Sequence, residues 1–261
     1  EKDFIPGNKN LFTIKEVQER GADFGKNNPY YFKEEMKLAK PSDLCTIIYT
    51  SGTTGEPKGV MLTHDNIVSN VRDALLSFPI DKTDVFLSFL PLCHIFERMA
   101  GYYTAFASGA MICYAETIDS VSSDLLEIKP TLMTAVPRLF ERIHSKVIKN
   151  FESQPAKKQK IINWSLETGR QYAQAKKRKN IPVSLSLKHA VANKLVFSKL
   201  REKTGGNIRF FISGGAALSR DLGEFFEAVG ILILEGYGLT ESSPVISDRK
   251  STRLNSSHVS E

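Results

Sequence analysis

The sequence predicts an α/β protein built of layered sheets with flanking helices. Short apolar runs, typical of buried strands, alternate with longer segments whose apolar residues recur every three to four positions, the period of an α-helix. Hydrophobic residues make up 41% and charged residues 25% of the 261 residues, as is typical of a globular protein that buries a sizeable core. This alternation favours a sheet whose faces are covered by helices.

The polar, mixed residues 1–40 are interpreted as a lead-in from a missing N-terminal part, either the end of a preceding unit or a strand. The main domain is predicted to span 41–247. It should begin with a strand, a loop and a second strand, followed by a helix that starts after Thr63 and ends before Pro79. Thr63 can cap the first turn of that helix, and proline cannot continue it.

Shorter elements follow in alternation. Strands are expected over residues 85–90, 109–114, 131–135, 208–212 and 231–234. Helices are expected over residues 99–107, 120–128, 137–150 and 219–228. Residues 155–203 also have a helical pattern, interrupted at Pro182, in which Trp164 is predicted to be a core anchor. One face of the first helix carries Ile161, Trp164, Thr168 and Tyr172, and one face of the second carries Leu187, Val191 and Leu195.

The positive charge of the chain is concentrated in the helical insert at about 142–203. This segment contains 16 Lys and Arg residues against 3 Asp and Glu residues, whereas the net charge of the whole chain is +6. Such a segment predicts either a solvated face or a peripheral contact with anionic membrane lipid. No nucleic acid partner is expected, because aromatic residues are not interleaved with the Lys176–Lys179 run. Three scattered cysteines favour a reducing, cytoplasmic location.

The last residues, 248–261, break the pattern of the domain. They have no apolar periodicity, and Asp248–His258 corresponds to the in-frame translation of a sequencing adapter. We therefore interpret 248–261 as an artefactual tail. Such a segment cannot bury enough apolar surface to offset its conformational entropy, so disorder is predicted for it.

The most informative motif is the loop Tyr49–Gly59 between the first two strands. It combines glycines, hydroxyl side chains and Lys58. Glycines let backbone N–H groups surround an anion, hydroxyls donate further hydrogen bonds, and a lysine neutralises charge. Because a strand rather than a helix follows Lys58, the loop is not a Walker A loop. It is predicted to hold polyphosphate, and a flexible hairpin loop without function is the alternative.

Two further glycine-rich segments follow predicted strands. Ser213–Ala217 places small residues where a flat ring could lie against the backbone, although a plain strand-to-helix turn has the same pattern. Gly236–Glu241 offers an aromatic ring, two glycines, a hydroxyl and a carboxylate at an edge where α/β sheets bind ligands. A carboxylate beside bound phosphates is best explained as a Mg²⁺ ligand, so Glu241 is the candidate metal ligand. An ordinary surface acid is the alternative.

In this order, the motifs resemble the adenylate-forming superfamily of acyl-CoA synthetases, firefly luciferases and peptide-synthetase adenylation domains. Pro91–Arg98, Pro130–Arg142 and the helical insert around Trp164 are similar to its long-chain fatty acyl-CoA synthetase branch. The resemblance covers about 41–247 and implies a partial N-terminal domain of such an enzyme. It implies that a long-chain fatty acid reacts with ATP, aided by Mg²⁺, to give an acyl-adenylate, which coenzyme A converts to acyl-CoA.

The resemblance also implies residue roles. The β- and γ-phosphates of ATP would be held by a loop that contains Thr50, Ser51, Gly52, Thr53, Thr54, Gly55 and Lys58. The adenine and its surroundings would be lined by Gly214, Gly215, Ala216, Gly236, Tyr237 and Gly238, with Tyr237 packing on the ring. Thr240 would contact the α-phosphate, Glu241 would bind Mg²⁺, and His94 would lie beside the acyl carboxylate. The candidate catalytic residues are therefore Lys58, His94, Thr240 and Glu241.

Several alternatives remain open. A buried histidine satisfied by the backbone would explain His94 nearly as well. The parent enzyme could be another acyl- or aryl-adenylating ligase, or the chain could be a non-catalytic nucleotide-binding fragment. The ribose-binding motif and the small C-terminal domain of the superfamily do not follow Glu241, so the fragment alone is expected to be inactive.

Overall fold

The structure, a computed structural model, describes residues 11–51 and 55–250. The chain divides into two units, one ending at Asp43 and the other beginning at Leu44. The first unit contains helices α1 (Ile14–Asn27) and α2 (Tyr31–Leu38). Thr13 caps α1, because its hydroxyl accepts a hydrogen bond from the backbone N–H of Glu16, whose carboxylate in turn accepts one from the N–H of Thr13. For the described part of this lead-in, residues 11–40, the alternative of a strand is therefore wrong, since this reciprocal cap starts a helix.

The second unit begins with an antiparallel hairpin of β1 (Leu44–Thr50) and β2 (Lys58–Thr63), followed directly by α3 (His64–Ser77). Thr63 caps α3 as predicted. Its hydroxyl accepts a hydrogen bond from the N–H of Asn66, and the Asn66 side chain accepts one from the N–H of Thr63. The hairpin and the helix share an apolar cluster of Ile48, Leu62, Ile67, Val71, Ile95 and Met99. This packing fixes where the loop between β1 and β2 begins and ends.

A six-stranded sheet forms the centre of the second unit. Its strands are β3 (Val85–Ser88), β4 (Met111–Tyr114), β5 (Leu132–Ala135), β6 (Phe210–Ser213), β7 (Ile233–Gly238) and β8 (Val245–Lys250). Their spatial order is β4-β3-β5-β6-β7-β8, and only the β7–β8 pair is antiparallel. The predicted α/β fold with layered sheets is confirmed.

Helices cover both faces of this sheet. They are α4 (Thr104–Ser108), α5 (Val121–Ile128), α6 (Pro137–Glu152), α7 (Ala156–Lys177), α8 (Val183–Ala192), α9 (Ser198–Glu202) and α10 (Arg220–Ala228). Two π-helical segments, Glu97–Tyr103 and Asn193–Phe197, lead into α4 and α9. One face of the sheet packs against α5, α6, α7 and α10 through Leu87, Met133, Phe211 and Ile233. The other face packs against α4 and its surroundings through Phe86, Leu132, Phe210 and Leu234. This division follows from the two-residue alternation of strand side chains.

The helical insert packs differently from the prediction. Trp164 and Ile161 are 39% and 44% exposed, and Leu187, Val191 and Leu195 are also exposed. Trp164 is therefore not a core anchor. The physical reason lies in the small residues of α7: a Cβ on Gly169 would lie 2.3 Å from the carbonyl oxygen of Ala228. This close approach to α10 turns the face of α7 that carries Ser165, Gly169 and Ala173 inward, while Ile161 and Trp164 stay exposed.

One carboxylate ties the amino ends of three central strands together. Asp84, which is 1% exposed, accepts hydrogen bonds at 2.7 Å from Nη1 of Arg209 and at 2.7 Å from the Thr131 hydroxyl. Burial raises the pKa of Asp84, but Arg209, Thr131 and the backbone N–H of Asp81 outweigh it and hold the pKa below its usual range. The resulting stabilisation is complete above about pH 4 and is lost as the pH falls through the folded-state pKa.

The edge strand β8 extends to Lys250, three residues into the segment for which disorder was predicted. Asp248, Arg249 and Lys250 pair with Gly236, Glu235 and Leu234 of β7. The edge of β7 offers backbone N–H and C=O groups that an extended segment can pair with, whatever its side chains. The prediction is therefore wrong for 248–250, and the rest of that segment lies outside the described residues.

Candidate active site

The two glycine-rich segments lie side by side at the carboxyl edge of the sheet. β6 ends at Ser213 and pairs in parallel with β7, with Ser213 opposite Glu235. The 213–216 turn and the 236–241 stretch therefore leave adjacent strands at the same edge, which is where α/β sheets place ligand sites. The last residues of the stretch form a short 3₁₀ helix, Thr240–Ser242.

A cavity of about 620 Å³ brings most of the described candidate residues together. The candidates that line it are Thr50, Ser51, His94, Gly215, Gly236, Tyr237, Gly238, Thr240 and Glu241. Hydroxyls from the hairpin loop thus share one cavity with the aromatic ring and the carboxylate of the 236–241 stretch. Its volume is in the range of about 300–1,000 Å³ that is typical of small-molecule sites.

The remaining candidates lie elsewhere or outside the described residues. Lys58 is exposed at the start of β2, opposite Thr50 in the hairpin register, and does not line the cavity. Gly55, Gly214 and Ala216 do not line it either. The prediction for Gly52, Thr53 and Thr54 falls on residues that the structure does not describe. The assignment of Lys58 and Gly55 to phosphate binding stays a prediction.

Two glycines of the site are required by close contacts. A Cβ on Gly238 would lie 1.7 Å from the carbonyl oxygen of Pro244, so no larger residue fits between β7 and the start of β8. A Cβ on Gly214 would lie 2.7 Å from the ring of Phe96. The flat ring that Gly214 accommodates in this structure is therefore a protein side chain, which the sequence did not predict. Gly215 has φ +79°, which favours glycine at this turn.

His94 is exposed at the cavity, so the alternative of a buried histidine is wrong. Its Nδ1 accepts a hydrogen bond from the backbone N–H of Phe96, 3.2 Å away. A neutral imidazole whose Nδ1 accepts carries its proton on Nε2, and that N–H can donate to an oxygen in the cavity. The role of His94 beside an acyl carboxylate stays a prediction.

The same cavity has an apolar side. Besides the candidate residues, its lining includes side chains from the end of α3, the first π-helix, β6 and β7, among them Phe78, Ile80, Met99, Ile212 and Leu234. Polar motifs and an apolar wall therefore meet in a single space. Such a cavity suits a ligand that is anionic at one end and hydrocarbon at the other.

Glu97 is a buried carboxyl group that the sequence did not single out. It starts the first π-helix, is fully buried, and accepts hydrogen bonds from the hydroxyls of Ser88, at 2.5 Å, and of Thr134. Burial raises the pKa of Glu97, while the two hydroxyls oppose that rise. A Cβ on Gly101 would lie 2.5 Å from Oε1 of Glu97, so this carboxyl group requires a glycine one turn later. Glu97 thereby attaches the π-helix to β3 and β5.

Asn70 is a second residue that sequence reasoning missed. Its amide nitrogen donates to the carbonyl of Val245 at 2.8 Å, and its amide oxygen accepts from the N–H of Val245 at 3.2 Å. This pair of bonds holds the start of β8 against α3, and both residues line the cavity. The sequence did carry one signal for Asn70: it lies three positions after Ile67, so it is a polar residue on the inward face of α3.

Glu241 lines the cavity, and Asp73 of α3 is the other carboxylate in the same lining. Among the described residues, no group of three or more His, Cys, Asp and Glu side chains is arranged to hold a metal ion. Mg²⁺ commonly binds through one or two carboxylates together with substrate phosphates and water. A single glutamate beside the hydroxyls of Thr50, Ser51 and Thr240 fits that mode of binding.

The hairpin loop, the two glycine-rich strand ends and their shared cavity define an α/β domain with a small-molecule site at the carboxyl edge of its sheet. The chain belongs to the AMP-binding enzyme family, whose profile matches residues 7–259. It is 36% identical over 226 residues to long chain acyl-CoA synthetase 6, peroxisomal, of Arabidopsis thaliana. It is 36% identical over 218 residues to the long-chain-fatty-acid–CoA ligase FadD15 of Mycobacterium tuberculosis. These alignments cover 85% and 83% of this chain but only 30% and 36% of the two relatives.

Solved structures support the fold. The N-terminal domain of FACL13 from Mycobacterium tuberculosis superposes with a TM-score of 0.54 at 23% identity, covering 80% of this chain and 40% of that one. ATP-bound MatB from Rhodopseudomonas palustris superposes with a TM-score of 0.54 at 22% identity, covering 81% and 32%. The prediction of a partial N-terminal domain of an adenylate-forming enzyme is confirmed.

Proposed function

We propose that this chain forms part of an AMP-forming ligase that activates a long-chain fatty acid with ATP and transfers the acyl group to coenzyme A. The observation that carries the proposal is the cavity in which the nucleotide motifs meet an apolar wall. The curated relatives support it through their names, long-chain acyl-CoA synthetase and long-chain-fatty-acid–CoA ligase.

In the proposed reaction, an oxygen of the fatty acid carboxylate attacks the α-phosphorus of ATP, and the bond to pyrophosphate breaks. Thr50, Ser51 and the rest of the hairpin loop hold the β- and γ-phosphates, and Thr240 donates a hydrogen bond to the α-phosphate. Tyr237 packs on the adenine beside the 214–216 turn. His94 donates from Nε2 to the carboxylate and orients it for attack. The coenzyme A thiolate then attacks the acyl carbon and displaces AMP.

Glu241 is proposed to hold Mg²⁺, which would neutralise charge on the phosphates and stabilise the leaving pyrophosphate. The protein contributes positioning and electrostatic stabilisation, since the attacking and leaving oxygens belong to the substrates. The fatty acid tail lies along the half-buried apolar side chains of Phe78, Ile80 and Ile212 in this proposal.

The test is to place this chain in a polypeptide of the relatives' full length and measure ATP–pyrophosphate exchange. Hexadecanoate is expected to drive the exchange, and adding coenzyme A is expected to yield AMP in equal amount to acyl-CoA. An aryl or amino acid that drives exchange instead would favour another adenylating ligase. ADP and phosphate as products, or nucleotide binding without exchange, would contradict the proposal.

Peripheral membrane contact by the basic insert, on the cytoplasmic side, is a further part of the proposal. Val183, Leu187 and Val191 recur every four residues on α8 and are 77%, 65% and 51% exposed, within a segment of strong positive charge. An exposed apolar stripe flanked by lysines is typical of helices that lie in the membrane interface. Among the described residues, no helix is long and apolar enough to cross a bilayer.

Flotation with vesicles is expected to show this contact. Vesicles with about one-third anionic lipid should carry the protein upward at low salt, and Leu187→Asp should reduce the floated fraction severalfold, because a carboxylate opposes both insertion and attraction to the anionic surface. Leu232→Asp, at a leucine that is exposed and lies outside the insert, is the matched control. Flotation that ignores lipid charge, salt and Leu187→Asp would exclude the contact.

A further inference from the structure

A second cavity, of about 700 Å³, lies on the other face of the sheet. Its walls come from α5, α6, α7, α9, α10 and the second π-helix, and its floor includes Leu125, Phe225 and Phe226 of the core on that face. The candidate active site is instead lined by Ile212 and Leu234, which pack with the opposite core. The two cavities share no lining residue.

The charged side chains that line this groove all have the same sign. They are Lys146, Lys158, Lys199 and Lys203, all of them exposed, and no Asp or Glu lines the groove. Within the described part of the chain, none of the four has a carboxylate oxygen within 4.0 Å. Four lysines therefore border an apolar groove whose lining contains no counter-charge, and they would attract a bound anion.

The apolar part of the groove is partly open to solvent. Leu126, Ile161 and Leu195 line it and are 48%, 44% and 46% exposed. A hydrocarbon chain laid along these side chains would remove them from water, and each buried methylene adds to the affinity. The groove therefore offers one anionic subsite beside one elongated apolar subsite.

We propose that this groove binds a long-chain fatty acid anion, with its tail on the apolar floor and its carboxylate among the four lysines. The charge complementarity selects an anionic head, and the volume suits a single hydrocarbon chain rather than the broad surface of a bilayer. The site is separate from the proposed active site and does not depend on the proposed function.

Titration of the full chain with hexadecanoate, kept below its aggregation concentration, tests the proposal. Trp164, the only tryptophan of the chain, lies one turn from Ile161 on α7, so its fluorescence can report occupancy. Saturable binding is expected. The double variant Lys158→Glu/Lys199→Glu should weaken it at least tenfold, because two attractive charges become repulsive. Octanoate and hexadecanol should bind at least tenfold more weakly, since one lacks tail length and the other lacks charge.

The matched control is Lys157→Glu/Lys194→Glu. It makes the same change in net charge at two exposed lysines of the same insert, neither of which lines the groove. Hexadecanoate affinity should stay within about twofold of the wild type, and the circular dichroism of both double variants should match it. Equal weakening by both double variants would overturn the proposal in favour of general electrostatics.

Two other outcomes would also overturn it. Binding of anionic vesicles through Lys158 and Lys199 without saturable hexadecanoate binding would make the groove part of a lipid-facing surface. Absence of both would show that the groove binds neither a fatty acid anion nor anionic lipid. In a polypeptide of full length, the Lys158→Glu/Lys199→Glu variant should retain hexadecanoate-driven pyrophosphate exchange, so failure of the groove and failure of the proposed reaction are measured separately.

Discussion

Replacing Glu241 with alanine is expected to lower kcat by about a hundredfold or more in the full-length enzyme, because removing one preorganised charge stabiliser from a transition state commonly has that effect. Glu241 lines the cavity beside Thr240 and is the candidate Mg²⁺ ligand. The KM for the fatty acid should change little, since the carboxylate acts on the phosphates. Steady-state kinetics of hexadecanoate-dependent pyrophosphate release measure both parameters.

Two further variants test whether the charge of Glu241 is responsible for this effect. Glu241→Asp keeps the charge, so raising the Mg²⁺ concentration should restore part of its activity, whereas Glu241→Ala should not respond. Glu202→Ala, which removes an exposed carboxylate from α9 outside the cavity, should leave kcat unchanged. Wild-type kinetics in Glu241→Ala would contradict the assignment.

The second large effect is expected for Glu97. Glu97→Ala should lower the free energy of unfolding by about 3 kcal/mol, because it leaves a cavity and removes the partner of two buried hydroxyls, Ser88 and Thr134. In the full-length enzyme, the KM for the fatty acid should rise about tenfold while the KM for ATP changes little, because the π-helix that Glu97 attaches to the sheet carries Met99 of the apolar wall.

Glu97→Gln is the matched variant, since it keeps the side-chain size and can still hydrogen-bond to both hydroxyls. Its free energy of unfolding and its KM for the fatty acid should both be close to those of the wild type. The wild type and Glu97→Gln should differ in how the free energy of unfolding depends on pH. A raised folded-state pKa means that the wild type loses stability as the pH rises from about 4.3 toward that pKa, and the glutamine variant lacks this loss. Identical stability–pH profiles, or an unchanged fatty acid KM in Glu97→Ala, would contradict the role.

The fold was predictable to the extent that its strands and helices are marked locally. Caps such as Thr63, stops such as Pro79 and short apolar runs gave the order of elements, because each depends on neighbours within a few residues. β8 could not be predicted this way, since its pairing depends on the open edge of β7 rather than on its own composition. The orientation of α7 was wrong for a similar reason, because Gly169 meets Ala228, a residue distant in the sequence.

The residues of the candidate site also differ in whether local sequence or tertiary contacts reveal them. Residues within continuous motifs, such as Thr50, Tyr237 and Glu241, were found from the sequence and reach one cavity. Asn70 and Glu97 were missed because their partners, Val245 for one and Ser88 with Thr134 for the other, come from separate strands. A resemblance between motifs indicates which groups contact the substrate, whereas the residues that hold those groups depend on tertiary contacts.

The alternation of side chains on the central strands has a consequence for how this protein can evolve. Phe210 and Phe211 are neighbours in sequence, yet they pack on opposite faces of the sheet, as do Leu234 and Ile233. A point substitution in a strand can therefore reshape the cavity on one face of the sheet while the cavity on the other face keeps its lining. Selection can then act on the two cavities independently. A single-residue insertion within β6 would exchange the inward sets and damage both at once. Length changes in these strands should be far rarer among descendants than substitutions.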